Sequence, residues 1–537
     1  MLNLQLEPTD DSADPLFRDA ESCAQWLNQL QLTNLQLAHS LLLTQINELN
    51  RFPLDGLERL KILELLRDTV HYVQNDYARK LISRPLPLSD GELIVFLAIV
   101  KLWQAMALGY KRCLENRIAG DKRLGKRGAL LCQRCLLYSG LPLLEHLRTG
   151  YEPDAKLWQQ LHGLYAFAEE NGLQHKEIPD PMNGSEPLSS CRNIYVKILL
   201  TCYARTAELS RSQLQMLDAW LTEWSELVSV QRSYTISKGD AQPLALDIAG
   251  TQGLQPIKWV THKANMRYLT MMPLSKSLRV KTVLLQQGQT PEQLKLGNHH
   301  NAQECIELLT FLHRCWCEDN DTRTVERNPG SQPAQLCYPA ENIHALLSGK
   351  PLQQAGAANP MAKMQIEVQG RVPRGTGNPA PHEPNRQVEG WQLENESILG
   401  AKLTRVDALG GRLNKRQLVA LRIGDAQPFM LGATTWVNVT RTGQLGIGVH
   451  YLPGTVQAVM LRAADASPGA TEISAPGFLL LPVPALQTPA SLIIPNNWFV
   501  PGRVMDIQHQ NGEKQQAKMG FSVERGIDYE RVSFTLL

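Results

Sequence analysis

Residues 416–461 read RQLVALRIGDAQPFMLGATTWVNVTRTGQLGIGVHYLPGTVQAVML. Four short apolar runs, RQLVALRI, FMLGATTWVNV, QLGIGVHYL and VQAVML, are separated by breaks of Gly, Asp, Pro and Thr. Leu445, Ile447, Val449 and Tyr451 alternate with Gly446, Gly448 and His450, the two-residue period of a strand with one buried face. Strands this short, with turn signals at regular spacing, predict a small antiparallel barrel or sandwich. A further β-like series follows: FLLLPV, SLIIP, RVMDIQ, KMGFSV and RVSFTL, up to Leu537. It reads as an appended β-rich domain over 466–537.

The pattern before this region is helical. Leu57, Leu60, Leu63, Leu66, Val70 and Val73 recur at steps of three and four, and so do Leu214, Leu217, Leu221 and Trp224. Ser89 and Glu92 form a capping-box pattern ahead of the apolar run 93–108, which marks a helix start. Lys101 and Gln104 interrupt that run, and it is shorter than the ~20 residues a bilayer demands, so a buried core helix is expected. Further helices are expected near 19–50, 154–171 and 193–209. Residues 1–235 therefore read as an α-helical domain. Residues 236–318 read as a mixed connecting region in which PLALDI and KTVLLQ look like strands. Thr290-Pro-Glu-Gln293 has the composition of a helix start, predicting a helix onward to about Trp316. A stretch rich in Gly, Pro, Ala and Gln, 348–390, cannot bury enough apolar surface to order itself and reads as a flexible insertion. The fold class is α+β and multidomain, with about three or four domains for 537 residues.

Composition narrows the function. The chain is 43% hydrophobic and 20% charged, with a formal net charge of +2. Nucleic-acid binders usually carry a strong basic surplus, so no nucleic-acid partner is expected. Ten cysteines lie scattered without a dense framework, which suggests reduced thiols and a cytoplasmic setting. The first fifteen residues have neither the basic start nor the apolar run of a signal peptide. No G-x-S-x-G, H-E-x-x-H or Rossmann glycine fingerprint occurs, so binding is expected rather than catalysis. Gly120 to Lys126 nearly writes a phosphate-binding loop, but Arg127 stands where Ser or Thr should hold magnesium, and the segment follows a helix. Cys132 and Cys135 form a lone pair inside a helical stretch. His313, Cys315 and Cys317 crowd a helix end, so no metal or cofactor is expected.

Two elements flank the insertion. Arg323-Thr-Val-Glu-Arg327 is an R-x-x-x-R spacing just before a strand, and Asn395-Glu-Ser397-Ile-Leu-Gly400 is an N-x-S-x-x-G just before another. With the strand series that follows, roughly residues 320–465 resemble the PilZ domain, a bacterial β-barrel receptor for cyclic di-GMP. TTWVNVTRTGQLGIGVHYL is similar to its paired strands, an aromatic on the first and G-x-G-V on the second. The resemblance implies a PilZ-like barrel over 319–465 that binds cyclic di-GMP through Arg323, Arg327, Asn395, Ser397 and Gly400. The residue types suit that ligand. A guanidinium fork matches phosphate oxygens, or the O6 and N7 acceptors of guanine, and its flat face stacks on a base. Asn and Ser can both donate to and accept from a base edge, and glycine permits close backbone approach. Arg327 and Asn395 are 68 positions apart (395 − 327), more than the family usually shows, and the insertion accounts for most of the excess. Arg371, Arg374 and Arg386 are nearer to Asn395, but none forms the i, i+4 pair. The expected function is that of a regulatory effector whose helical region contacts a protein partner. The alternative is a helical interaction scaffold with a degenerate, ligand-free barrel.

Overall fold

The structure is a computed structural model. It describes residues 4, 6–180, 188–236, 241–318, 328–349, 388–407, 410–425, 427–463 and 474–537. The chain divides into two compact units. The first is Met1–Arg84, Leu88–Thr324 and Val439–Arg441; the second is Pro85–Pro87, Val325–Asn438 and Thr442–Leu537.

Among the described residues ten α-helices belong to the first unit: α1 Ala20–Gln29, α2 Leu35–Arg51, α3 Gly56–Ala78, α4 Asp90–Ile118, α5 Gly128–Thr149, α6 Ala155–Glu170, α7 Cys191–Tyr203, α8 Arg211–Trp224, α9 Met272–Gln286 and α10 Ala302–Cys317. The stripe read on α3 is the one it buries: Leu60, Leu63, Leu66, Val70 and Val73 are all shielded from solvent. α4 begins at the expected capping box, where the Ser89 amide donates to Glu92 at 2.9 Å. α4 is long and apolar enough to cross a membrane by length and composition. Yet 56% of its most apolar window is buried inside the fold, and it packs on α2, α3 and α5. Cys132 and Cys135 are buried in α5.

A short hairpin, β1 Ile178–Pro179 and β2 Leu188–Ser189, follows α6. Directly after β1, Asp180 enters a buried ionic cluster: its carboxylate accepts from Arg67 at 2.8 and 2.9 Å and from Arg134 at 2.8 Å. Glu64 completes the cluster, accepting from Arg134 at 3.0 Å and from the Tyr110 hydroxyl at 2.7 Å. With Arg67, Arg134 and Asp180 at 4%, 1% and 2% side-chain exposure, each charge relies on its partners to replace water.

The connecting region differs from expectation in two places. PLALDI does contain a strand, and a four-stranded sheet forms from β3 Ser229–Gln231, β4 Leu244–Asp247, β5 Gln255–Pro256 and β6 Met266–Thr270 in the order β3-β6-β4-β5. KTVLLQ, however, is the last part of α9. The helix is buried on one side only, at Leu274, Leu278 and Leu285, which is helical spacing. Thr290 and Gln293 do exchange hydrogen bonds, but they cap only a turn. The helix starts at Ala302, where Asn301 and Glu304 form a capping box. Two helix-start patterns stand within twelve residues, and the one followed by an apolar face that can be buried wins.

The second unit is built on two six-stranded barrels. The first comprises β8 Pro333–Cys337, β9 Glu389–Ser397, β10 Gly400–Arg405, β11 Leu418–Ile423, β12 Met430–Val439 and β13 Leu445–Tyr451, after a short lead strand, β7 Asn328–Pro329. The order β10-β13-β12-β11-β8-β9 closes because β9 also pairs with β10. The second comprises β14 Val456–Ala463, β15 Ser474–Leu480, β16 Ser491–Pro495, β17 Val504–His509, β18 Lys514–Arg525 and β19 Tyr529–Leu536. This moves a boundary. VQAVML, read as the last strand of the first barrel with an edge at 465, is β14, which pairs with β15 and β17. Alternation marks a strand but not which sheet receives it.

The helix α11 Ala340–Ser348 packs on β11, β14 and β15, and one apolar cluster runs through both barrels, from Leu418 and Leu431 to Phe478 and Tyr529. The insertion expected at 348–390 falls mostly on 350–387, outside the described residues. α11 ends at Ser348 and β9 begins at Glu389.

Candidate functional site

The N-x-S-x-x-G element forms the end of β9, a two-residue turn and the start of β10. Ser397 is paired with Gly400, and its hydroxyl donates to the Gly400 carbonyl at 3.3 Å. Ile398 and Leu399 occupy the exposed turn. The register shifts once along this hairpin: Leu393 faces Leu403, whereas Asn395 faces Lys402. Glu394 is thus the extra residue of a bulge. Trp391 and Leu393 point into the barrel, and strict alternation would send Asn395 and Ser397 after them. The bulge reverses the parity, so both share the outer face with Lys402 and Gly400.

That outer face continues across the sheet. Lys402 lies opposite Gly448 of β13, Gly400 opposite His450 and Thr404 opposite Gly446. Trp436 of β12 lies over the two glycines. A Cβ built on Gly448 would come 2.6 Å from Cε2 of its indole. The glycines of the G-x-G run therefore leave room for the ring. The result is a shallow surface bounded by an amide, a hydroxyl, an ammonium group and an aromatic plane. Carboxylates trim it: Glu394 accepts from Thr404 at 3.0 Å and lies 3.5 Å from Lys402. At the edge of the hairpin the Tyr451 hydroxyl donates to Glu396 at 2.7 Å. Burial raises the pKa of that phenol, and the carboxylate beside it adds to the effect.

Gly400 has a structural reason for being glycine. A Cβ there would collide with the Val449 carbonyl oxygen and stand 3.0 Å from His450 Cα, so the residue permits β10 and β13 to close. His450 then reaches the second barrel, 3.0 Å from Glu524. Burial works to raise the pKa of Glu524, but hydrogen bonds from His450 and Tyr529 outweigh it and hold the carboxyl below its usual range.

Arg323 and Arg327 lie outside the described residues. The chain re-enters at Asn328, which is paired with Glu396, and Pro329 is paired with Asn395. The Gly330 amide donates to the Glu394 carbonyl at 3.1 Å, and the Leu393 amide to that of Gln332 at 2.9 Å. Asn328 and Glu396, far apart in sequence, thus stand on adjacent strands. Lys402 and Trp436 were not among the predicted site residues. The aromatic was visible as a family feature of its strand, but nothing local ties Lys402 to it. Among the described residues, no group of three His, Cys, Asp or Glu side chains is placed to hold a metal ion.

Residues 21–234 match the family model of the N-terminal domain of the cyclic-di-GMP receptor FimW. Residues 459–537 match the FimW C-terminal β-barrel domain. The second match begins inside β14, which agrees with the boundary set by strand pairing. The chain is also similar to the cyclic-di-GMP receptor FimW of Pseudomonas aeruginosa, with 23% identity over 556 aligned positions that cover 95% of this chain and 90% of the relative. The first barrel lies between the two matched segments.

Proposed function

We propose that this protein is a cyclic di-GMP-binding regulatory effector, whose ligand sits on the outer face of the first barrel beside the β9–β10 hairpin. The observation that carries the reading is the pairing of Asn328 and Pro329 with Glu396 and Asn395. It sets the chain leaving Arg327 against the strand that presents Asn395 and Ser397. The similarity to a cyclic-di-GMP receptor along 95% of the chain points the same way. In PilZ-like fashion, Arg323 and Arg327 supply paired guanidinium forks for phosphate and guanine. Asn395 and Ser397 address a base edge, Lys402 adds a cation, and the Trp436 ring offers a plane on which a guanine can stack. Binding through these arginines changes the conformation of the protein and thereby its contacts with a partner. The protein acts in the cytoplasm through a protein partner of the helical region. Its ten cysteines, all free and nine of them buried, suit a reducing compartment.

Calorimetric titration of the full chain with cyclic di-GMP tests this. Saturable binding is expected, and Arg323→Ala or Arg327→Ala should each weaken it by about 1.5–3 kcal/mol, some ten- to hundred-fold. Hydrogen exchange across 315–330 should slow on binding. Absence of binding, or affinity indifferent to both substitutions, would leave the ligand-free scaffold instead.

A further inference from the structure

The outward side of α9 is cationic and apolar at once. The helix, MPLSKSLRVKTVLLQ, carries Lys276, Arg279 and Lys281 and no carboxylate. Its inner side is accounted for. Leu274, Leu278 and Leu285 are buried, and Ser275 and His313 of α10 lie 3.0 Å apart in a hydrogen bond. Lys281 is engaged as well, donating to the Leu294 carbonyl. Along the other side Met272, Lys276, Arg279, Val280, Val283 and Leu284, with Ser275 at the border between the two sides, line an open groove of about 500 Å³. Val280 and Val283 are each 48% exposed, so the groove leaves two β-branched side chains in water one turn apart. The carboxylate that follows α10, Glu318, is already paired with His313 at 3.2 Å.

We propose that this face of α9 is a docking groove for an acidic amphipathic helix of a partner protein. The spacing is that of helix-in-groove recognition, where apolar anchors at i, i+3 and i+4 enter a groove and charges at its rim set orientation. The sign of the partner follows from the face itself: Lys276 and Arg279 stand on it and the helix carries no acid, a field that acidic flanks relieve and basic flanks worsen. Val280 and Val283, one turn apart beside Lys276 and Arg279, match the spacing of apolar anchors on a facing helix. The surface lies in the helical unit and does not depend on nucleotide binding.

The probe is a labelled synthetic peptide of about 18 residues, long enough to hold helix, with leucines on one face and glutamates beside them. Fluorescence anisotropy with the full chain should give saturable binding that falls with added salt, and the same peptide with lysines should not bind. Lys276→Glu with Arg279→Glu should weaken binding at least tenfold. Val280→Asp should do the same through the apolar contact, while circular dichroism stays unchanged because all three side chains face solvent. Equal affinity for the acidic and basic peptides, or an unchanged affinity in the folded variants, overturns the proposal. So does binding to phosphatidylglycerol vesicles through Lys276 and Arg279 without binding to the peptide.

Discussion

Asp528 sits in the β18–β19 turn of the second barrel and reaches the first. One carboxylate oxygen accepts the Leu418 amide at 2.9 Å, while Oδ2 is buried without a partner among the described residues. Burial raises the pKa of this carboxyl from 3.8 to about 6, and the charge of Glu341 adds to it. A group whose pKa is raised by folding favours the folded state when protonated. Its contribution is complete below the unfolded value and is lost as pH rises through about 6. At pH 8 the ionised carboxylate therefore costs the fold about 3 kcal/mol. Asp528→Asn removes the charge and keeps the acceptor for Leu418. Its new NH2 group lacks a partner where Oδ2 stood, which returns about 1 kcal/mol. The expected net gain is about 2 kcal/mol at pH 8, or roughly 4–8 °C in Tm for a unit this size. By pH 5 roughly half of the charge term is gone, and the two proteins should nearly coincide. Urea unfolding of wild type and D528N from pH 5 to 8 measures the difference directly, and other titrating groups cancel in the comparison. A difference between the proteins that does not vary with pH would refute the reasoning, as would a variant less stable at pH 8.

Three further outcomes separate structure from binding. Gly400→Ala should lower stability by more than about 2 kcal/mol, since its Cβ meets the Val449 carbonyl, whereas Ser397→Ala should weaken cyclic di-GMP with little change in Tm; thermal melts and titrations of both check this. Trp436→Ala should reduce nucleotide affinity by about 1–3 kcal/mol if a guanine stacks there, seen by calorimetry and by loss of ligand-induced quenching of tryptophan fluorescence. Asp180→Ala should destabilise the helical unit by about 3–5 kcal/mol, because it leaves two guanidinium charges below 5% exposure with Glu64 as their remaining carboxylate; urea unfolding followed by helical circular dichroism measures it.

Much of the fold follows from local pattern. The α3 stripe, the Ser89 capping box and the alternation of Leu445 to Tyr451 each act within a few residues, so the chain alone determined that its first part is helical and its last part β. Residue type also determined the kind of ligand to look for, because guanidinium, amide and hydroxyl groups carry their chemistry wherever they stand.

Tertiary structure decided what distance in sequence conceals. Whether Val456–Ala463 joined the first barrel or the second depended on which edge had partners, and β15 and β17 supplied them. Whether Asn395 and Ser397 faced core or solvent depended on a single bulge at Glu394, since one extra residue inverts a period of two. Lys402 and Trp436 came to that face only through the order of β9, β10, β13 and β12, which no local periodicity encodes. Alternation and capping are short-range and belong to the chain. Register, closure and the face a side chain shares with its neighbours are set by pairing between distant segments, and the candidate site is made of those.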